Sequence, residues 1–146
     1  MKQTVAVKKL NAKAQLPTYG SEFAAGADLY ACLEQTITIE PGESAWIPTG
    51  IALEVPEHYV GLIYARSSMG VKRGLAPANK VGVIDSDYRG EIRVVLLNHS
   101  KQAQTVEPGE RIAQFVITPV LTPVFEEVSE LSETCRGTGG FGSTGK

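Results

Sequence analysis

Three aspartates, six arginines and a glycine-rich tail are the groups in this sequence best equipped for chemistry. Asp85 follows the apolar segment Val81 to Ile84 and precedes Asp87-Tyr88-Arg89-Gly90, so it is expected where a strand becomes a turn. An aspartate there either bonds its own backbone as a turn former or, being ionised at neutral pH, accepts a proton from a held water. Asp87, two positions on, has the same two options. Asp28 lies next to the small residues Ala24 to Ala27, which let a bulky ligand come near, or it is simply a loop acid. Arg66, in Arg66-Ser67-Ser68-Met69-Gly70, and Arg136 are cations of the kind that bond phosphate oxygens bidentately, although surface arginines by themselves are usually just solvated. Ser67 and Ser68 have no GxSxG elbow and no partner histidine, so they are donors and not nucleophiles. With only His58 and His99, a zinc cluster or a His-based triad is excluded, and any metal is expected to be hard and oxygen-bound.

The tail Arg136 to Lys146 reads RGTGGFGSTGK. Its glycines offer backbone amides at close approach, Arg136 a charge and Phe141 a flat apolar face, a set suited to phosphate and base together. Phe141 has no local apolar neighbour, so its surface must be buried elsewhere. The tail also satisfies GxGxxG and GxxxxGK in letters, but a dinucleotide fingerprint must open a helix and a nucleotide loop needs Ser or Thr after its lysine, so both are rejected.

These groups need a scaffold, and 146 residues with 42% hydrophobic content furnish one domain core. Fifteen glycines and eight prolines punctuate segments rich in Val, Ile and Thr, which predicts an all-β domain. Ile51, Leu53 and Val55 alternate with Ala52 and Glu54, Thr36 to Ile39 alternates as well, and Val94 to Leu97 reads as a strand covered on both faces. No long helix is expected. Ser67 or Ser68 is the expected cap of one short turn, and Glu126 to Glu133 is ambiguous. Thr38-Ile39-Glu40-Pro41-Gly42-Glu43 is echoed by Thr105-Val106-Glu107-Pro108-Gly109-Glu110, which suggests two matching strand-turn units in a jelly-roll-like double sheet. The expected division is a β domain over residues 1–133 and a mobile C-terminal arm over 134–146. A net charge of -2 excludes the basic field of a nucleic-acid binder, and no segment approaches the ~20 apolar residues of a membrane helix. A cytoplasmic, intracellular protein is expected. Cys32 and Cys135 read as reduced thiols, the sequon Asn98-His99-Ser100 as incidental, and Trp46, Tyr59 and Tyr64 as core or subunit contacts.

Five segments in order decide more than any of them alone: Ala25-Gly26-Ala27-Asp28-Leu29, Arg66 to Gly70, Gly82-Val83-Ile84-Asp85-Ser86-Asp87-Tyr88-Arg89-Gly90, Gly109-Glu110-Arg111-Ile112-Ala113-Gln114 and Arg136 to Gly145. Together they resemble the five motifs of the trimeric dUTPase family, with Ala65 standing where the family usually has a proline. The resemblance implies a jelly-roll-like fold of the β-clip kind, a homotrimer with sites shared between subunits, and Mg²⁺-dependent hydrolysis of dUTP to dUMP and pyrophosphate. That reaction keeps uracil out of DNA and supplies dUMP. By the same resemblance Asp85 activates the water that attacks the α-phosphate, Asp87 is a turn residue, and Asp28 holds waters around the magnesium ion. Arg66, Ser67, Ser68 and Gly70 meet the inner phosphates, Gln114 lies near the α-phosphate, and Arg111 is equally well read as structural, holding subunits together. Asn79 and Gly82 sit on a strand hairpin that pairs with uracil, and Tyr88 lies under the deoxyribose and refuses a ribose. In the tail, Arg136 meets the terminal phosphate with Gly142, Ser143 and Thr144 nearby, and Phe141 stacks on uracil.

Two other readings fit parts of this pattern. A dCTP deaminase shares the fold, but the third segment, with Asp85 and Tyr88, argues for uracil. A nucleotide-gated regulatory protein would use the same residues to bind a protein partner.

Overall fold

The computed structural model describes residues 4–142. Twelve strands follow one another: β1 (Val7–Lys9), β2 (Thr18–Tyr19), β3 (Ala27–Tyr30), β4 (Ile37–Ile39), β5 (Ser44–Pro48), β6 (Ile51–Leu53), β7 (Tyr59–Tyr64), β8 (Leu75–Pro77), β9 (Gly82–Ile84), β10 (Arg93–Asn98), β11 (Gln104–Val106) and β12 (Arg111–Pro119). One helical turn, α1 (Ser67–Gly70), stands between β7 and β8. Every pairing is antiparallel. The main sheet runs β2-β3-β12-β7-β9, a second runs β5-β10-β8, and β1-β6 and β4-β11 form two short ladders. The side chains turned inward, among them Leu29, Ile39, Ile47, Ile51, Leu75, Ile92, Leu96, Val106 and Ile112, form one core. At about 1.5 to 3 kcal/mol for each large aliphatic side chain removed from water, that core is the main stabilising term. Met69 of α1 belongs to it, which fixes the helical turn to the sheets.

The jelly-roll-like architecture expected from the sequence is the one observed, and the echoed turns explain part of it. Glu43 and Glu110 each donate their backbone N–H to the carbonyl three residues back, Glu40 and Glu107. Gly42 and Gly109 take φ of 81° and 75°, the left-handed conformation that the third position of such a turn demands. The strands leading into the two turns, β4 and β11, pair with each other with Thr38 opposite Thr105.

Two local expectations, for β10 and for the cap of α1, differ from the structure. β10 buries Val94 and Leu96, whereas Val95 and Leu97 on its other face are only half-buried, so it is fully covered on one face. Trp46 of β5 lies opposite Val95 on that open face and is 69% exposed, so of the two places expected for it, core or subunit contact, the core is excluded. At α1 the N-cap position is Arg66, and no side chain caps it.

The sequon residue Asn98 is fully buried and satisfied: it donates to the carbonyls of Ile39 and Gln102 at 2.8 Å each and accepts from the N–H and hydroxyl of Ser100. Burial, with Glu91 and Glu34 adding to it, pushes the half-buried Cys32 thiol up, and the side chain packs against the core. The last strand ends at Pro119, and residues 119–138 are exposed throughout, with the segment Glu126 to Glu133 neither helix nor strand. Among the described residues no helix is long and apolar enough to cross a membrane.

Candidate active site

The order of the main sheet brings three of the five sequence segments together. β12 lies between β3 and β7, so Gln114 stands opposite Asp28 on one side and opposite Tyr64 on the other. Arg66 follows directly after β7 and turns back over this row. Its Nε donates to Asp28 Oδ1 at 2.7 Å, and Arg111 Nη1 donates to Asp28 Oδ2 at 3.3 Å. Asp28 is only 8% exposed, so its charge is held by two guanidinium groups instead of by solvent. Arg66 Nη1 also donates to the Ser68 hydroxyl at 3.0 Å, and Gln114 Nε2 donates to the Ala65 carbonyl at 3.0 Å. Arg66, Arg111 and Gln114 thus meet at one buried carboxylate, with Ser68 held through Arg66, and Ser67 and Gly70 are the first and last residues of the adjoining α1. Two cations against one anion leave the cluster with a formal excess of one positive charge, and guanidinium N–H groups remain free for an anionic ligand.

Asp85 is elsewhere. Ile84 pairs with Gly61 and Gly82 with Ile63, which puts Asp85 beside Val60 while Arg66 lies beyond Tyr64. At ~3.3 Å per residue along β7, the two are roughly 20 Å apart. Asp85 directly follows β9, and its carbonyl accepts from the Tyr88 N–H at 3.2 Å, so it opens a tight turn. Arg89 closes the same turn by donating Nη1 to the carbonyls of Ser86 at 2.7 Å and Tyr88 at 3.1 Å. Asp85 and Tyr88 line a cavity of about 520 Å³ with Trp46, Val83, Gly90, Glu91 and Arg93. Asn79 is not on a hairpin strand. β8 pairs with β10 and β9 with β7, so residues 78–81 form an exposed turn that joins the two sheets. Gly82 is buried at the start of β9.

The tail stands apart from both groups. Arg136 donates Nε to the Gly139 carbonyl at 2.8 Å, and Phe141 is fully exposed. Gly142 is exposed as well, and Ser143 and Thr144 lie outside the described residues.

Over residues 12–145 the sequence matches the dUTPase family. The chain belongs to that family. It is 48% identical over 142 residues to the deoxyuridine 5'-triphosphate nucleotidohydrolase of Syntrophotalea carbinolica, covering 97% of each chain. The dUTPase of Staphylococcus bacteriophage 80alpha, solved with dUPNHPP, is similar with a TM-score of 0.90 at 32% identity, covering 99% of this chain and 100% of that one. The dUTPase of phage phi11 of S. aureus, in which a structural Mg(II) ion has been described, is similar with a TM-score of 0.79 at 28% identity over 88% of this chain and 98% of that one.

The five dUTPase segments therefore occupy three places in one chain: the first, second and fourth in the Asp28 cluster, the third at Asp85, the fifth on the tail. Among the described residues no three His, Cys, Asp or Glu side chains gather, so there is no ready-made cage for a divalent ion. Asp28 still fits a magnesium role through water. Each of its oxygens accepts one guanidinium N–H, and a carboxylate oxygen has a second lone pair to offer. The local positive excess disfavours a bare dication and favours one already carried by a polyphosphate. Sequence reasoning missed the grip of Arg111 on Asp28 and the place of Trp46, Glu91 and Arg93 around the Asp85 cavity. Asp28 and Arg111 are 83 residues apart, and only the register of β3 on β12 could have revealed the pair.

Proposed function

We propose that this chain hydrolyses dUTP to dUMP and pyrophosphate in a homotrimer whose sites are each assembled from different subunits. The observation that carries the reading is the cluster of Arg66, Arg111 and Gln114 on buried Asp28, a phosphate-sized group of donors in a member of the dUTPase family. Its separation from Asp85 by the length of β7 supports the shared site, since one copy can present phosphate donors and another the carboxylate. Exposed apolar surface supports the assembly: Trp46 with the half-buried Val95 and Leu97 on one sheet face, and Leu121, Val124, Phe125 and Leu131 beyond β12.

The reaction needs water to add to the α-phosphorus while the bond to the bridging oxygen of the β-phosphate breaks. Asp85 accepts the proton of that water and aims its lone pair. Arg66, Ser67, Ser68 and the amide of Gly70 hold the inner phosphates, and Gln114, oriented by the Ala65 carbonyl, lies beside them. Asp28 keeps Arg66 and Arg111 in place and would hold, through water, a Mg²⁺ arriving with the triphosphate, whose charge that ion would neutralise. Asn79 and the backbone at Gly82 pair with uracil, Tyr88 supports the deoxyribose, and the tail brings Arg136 to the terminal phosphate and Phe141 to the base, with Gly142, Ser143 and Thr144 beside them.

A panel of dUTP, dTTP, dCTP and UTP, with pyrophosphate and ammonia both measured, tests the reading. Pyrophosphate from dUTP alone, in amounts equal to dUMP, is expected. Ammonia from dCTP would make the chain a deaminase, and dUTP binding without pyrophosphate would make it a regulator.

A further inference from the structure

We infer that Gly90 and the Glu91 carbonyl form a fixed seat for the Tyr88 ring, and that this seat sets discrimination between deoxyribose and ribose. The inference rests on the proposed role of Tyr88 at the sugar. Tyr88 is 43% exposed on a turn, where a tyrosine side chain ordinarily moves among several rotamers. Here a hydrogen bond and a close backbone contact hold it. Its hydroxyl donates to the Glu91 carbonyl at 3.0 Å, and its ring lies across Gly90. A Cβ on Gly90 would fall 2.3 Å from the Tyr88 hydroxyl oxygen, 2.5 Å from Cζ and 2.8 Å from Cε2. No residue with a side chain can stand there while the ring stays.

The seat is itself anchored. Glu91 Oε1 accepts from the Gly50 N–H at 3.0 Å and Oε2 from Arg93 Nε at 2.8 Å. Next to it, Ile92 donates its N–H to the Ile51 carbonyl and accepts from the Thr49 hydroxyl. The carbonyl that holds the tyrosine is thus tied to β6 and to the end of β5 and does not follow the ring if the ring swings. From the other side, Arg89 binds the carbonyls of Ser86 and Tyr88 and keeps the turn closed.

Two consequences for recognition follow. With its hydroxyl turned back to Glu91, the tyrosine offers a sugar its apolar face and not its polar tip. A ribose and a deoxyribose differ by one hydroxyl, which a flat face against C2' can refuse only if the face cannot retreat. Attraction contributes little here, because a pocket that merely lacks room for a hydroxyl discriminates by being rigid. Gly90 is therefore a specificity-determining residue, and Glu91 a positioning residue.

The test compares kcat/KM for UTP and dUTP in Gly90→Ala, Tyr88→Phe and Tyr88→Ala, with assembly checked by light scattering. Gly90→Ala, which displaces the ring, is expected to raise the UTP to dUTP ratio by about tenfold or more. Tyr88→Phe keeps the ring but frees it from Glu91, and it should raise the ratio by a smaller factor. Loss of stability alone would lower both rates together and leave the ratio where it was. If Tyr88→Ala raises the ratio and Gly90→Ala does not, the seat is wrong and the tyrosine gate stands. If Tyr88→Ala leaves the ratio unchanged, gate and seat fall together. Should Gly90→Ala not fold, Tyr88→Phe decides: an unchanged ratio overturns the seat. Absence of dUTP hydrolysis in the unmodified protein would instead overturn the proposed function.

Discussion

Asp28 carries two arginines at once, and the consequence of losing its charge is easy to state. Asn in its place would leave Arg66 and Arg111 facing each other with no anion between them. Asp28→Asn is therefore expected to lower kcat/KM for dUTP by roughly 10- to 100-fold through misplaced phosphate donors, and to shift the magnesium dependence to higher concentration. Steady-state kinetics over a magnesium titration checks both. Asp85→Asn is a different kind of change, because the amide keeps the shape but cannot take a proton. Turnover should fall about a thousandfold, while the affinity for a non-hydrolysable dUTP analogue, measured by calorimetry, stays within a few-fold. The position of Asp85 was legible, since an apolar run followed by Asp, Asp and Gly makes a strand end. The partner of Asp28 was not. Nothing within a few residues of Asp28 hints at Arg111.

Strands and turns follow the same division between local and distant causes. The Pro-Gly turns were readable because proline presets one backbone angle and glycine accepts the next, and both turns formed where they were written. Alternation likewise marked β6. The hairpin that the family resemblance implied at Asn79 and Gly82 does not form, because β8 and β9 find partners in different sheets. Pairing is a property of the whole fold, and ten residues do not contain it. α1 is similar: two serines looked like a cap, but Arg66 holds the cap position and spends its donors on Asp28 and Ser68. The core strand β10 offers the plainest stability test. Leu96 is fully buried between β5 and β8, so Leu96→Ala should cost about 2 to 5 kcal/mol, read from denaturant midpoints at fixed protein concentration.

At the scale of the molecule, three groups of site residues lie apart on one chain, and the experiment that matters mixes chains. A protein truncated before Arg136 should assemble but turn over dUTP poorly, and Asp85→Asn protein should do the same for its own reason. Subunit exchange between the two should restore a measurable fraction of activity, because some mixed assemblies join an intact Asp85 to an intact tail. Failure of rescue in verified mixed assemblies would remove the shared site. The family resemblance carried this expectation from the sequence, and the geometry gives it a cause in the length of β7. On the proposed shared site, that length also predicts that catalysis depends on encounter. With its arginines and its aspartate roughly 20 Å apart along β7, a single folded chain is expected, on the proposed shared site, to be inactive until it assembles. Rate per chain should therefore collapse on dilution more steeply than any fixed active fraction allows, and a cell making few copies would see a delay between synthesis and activity.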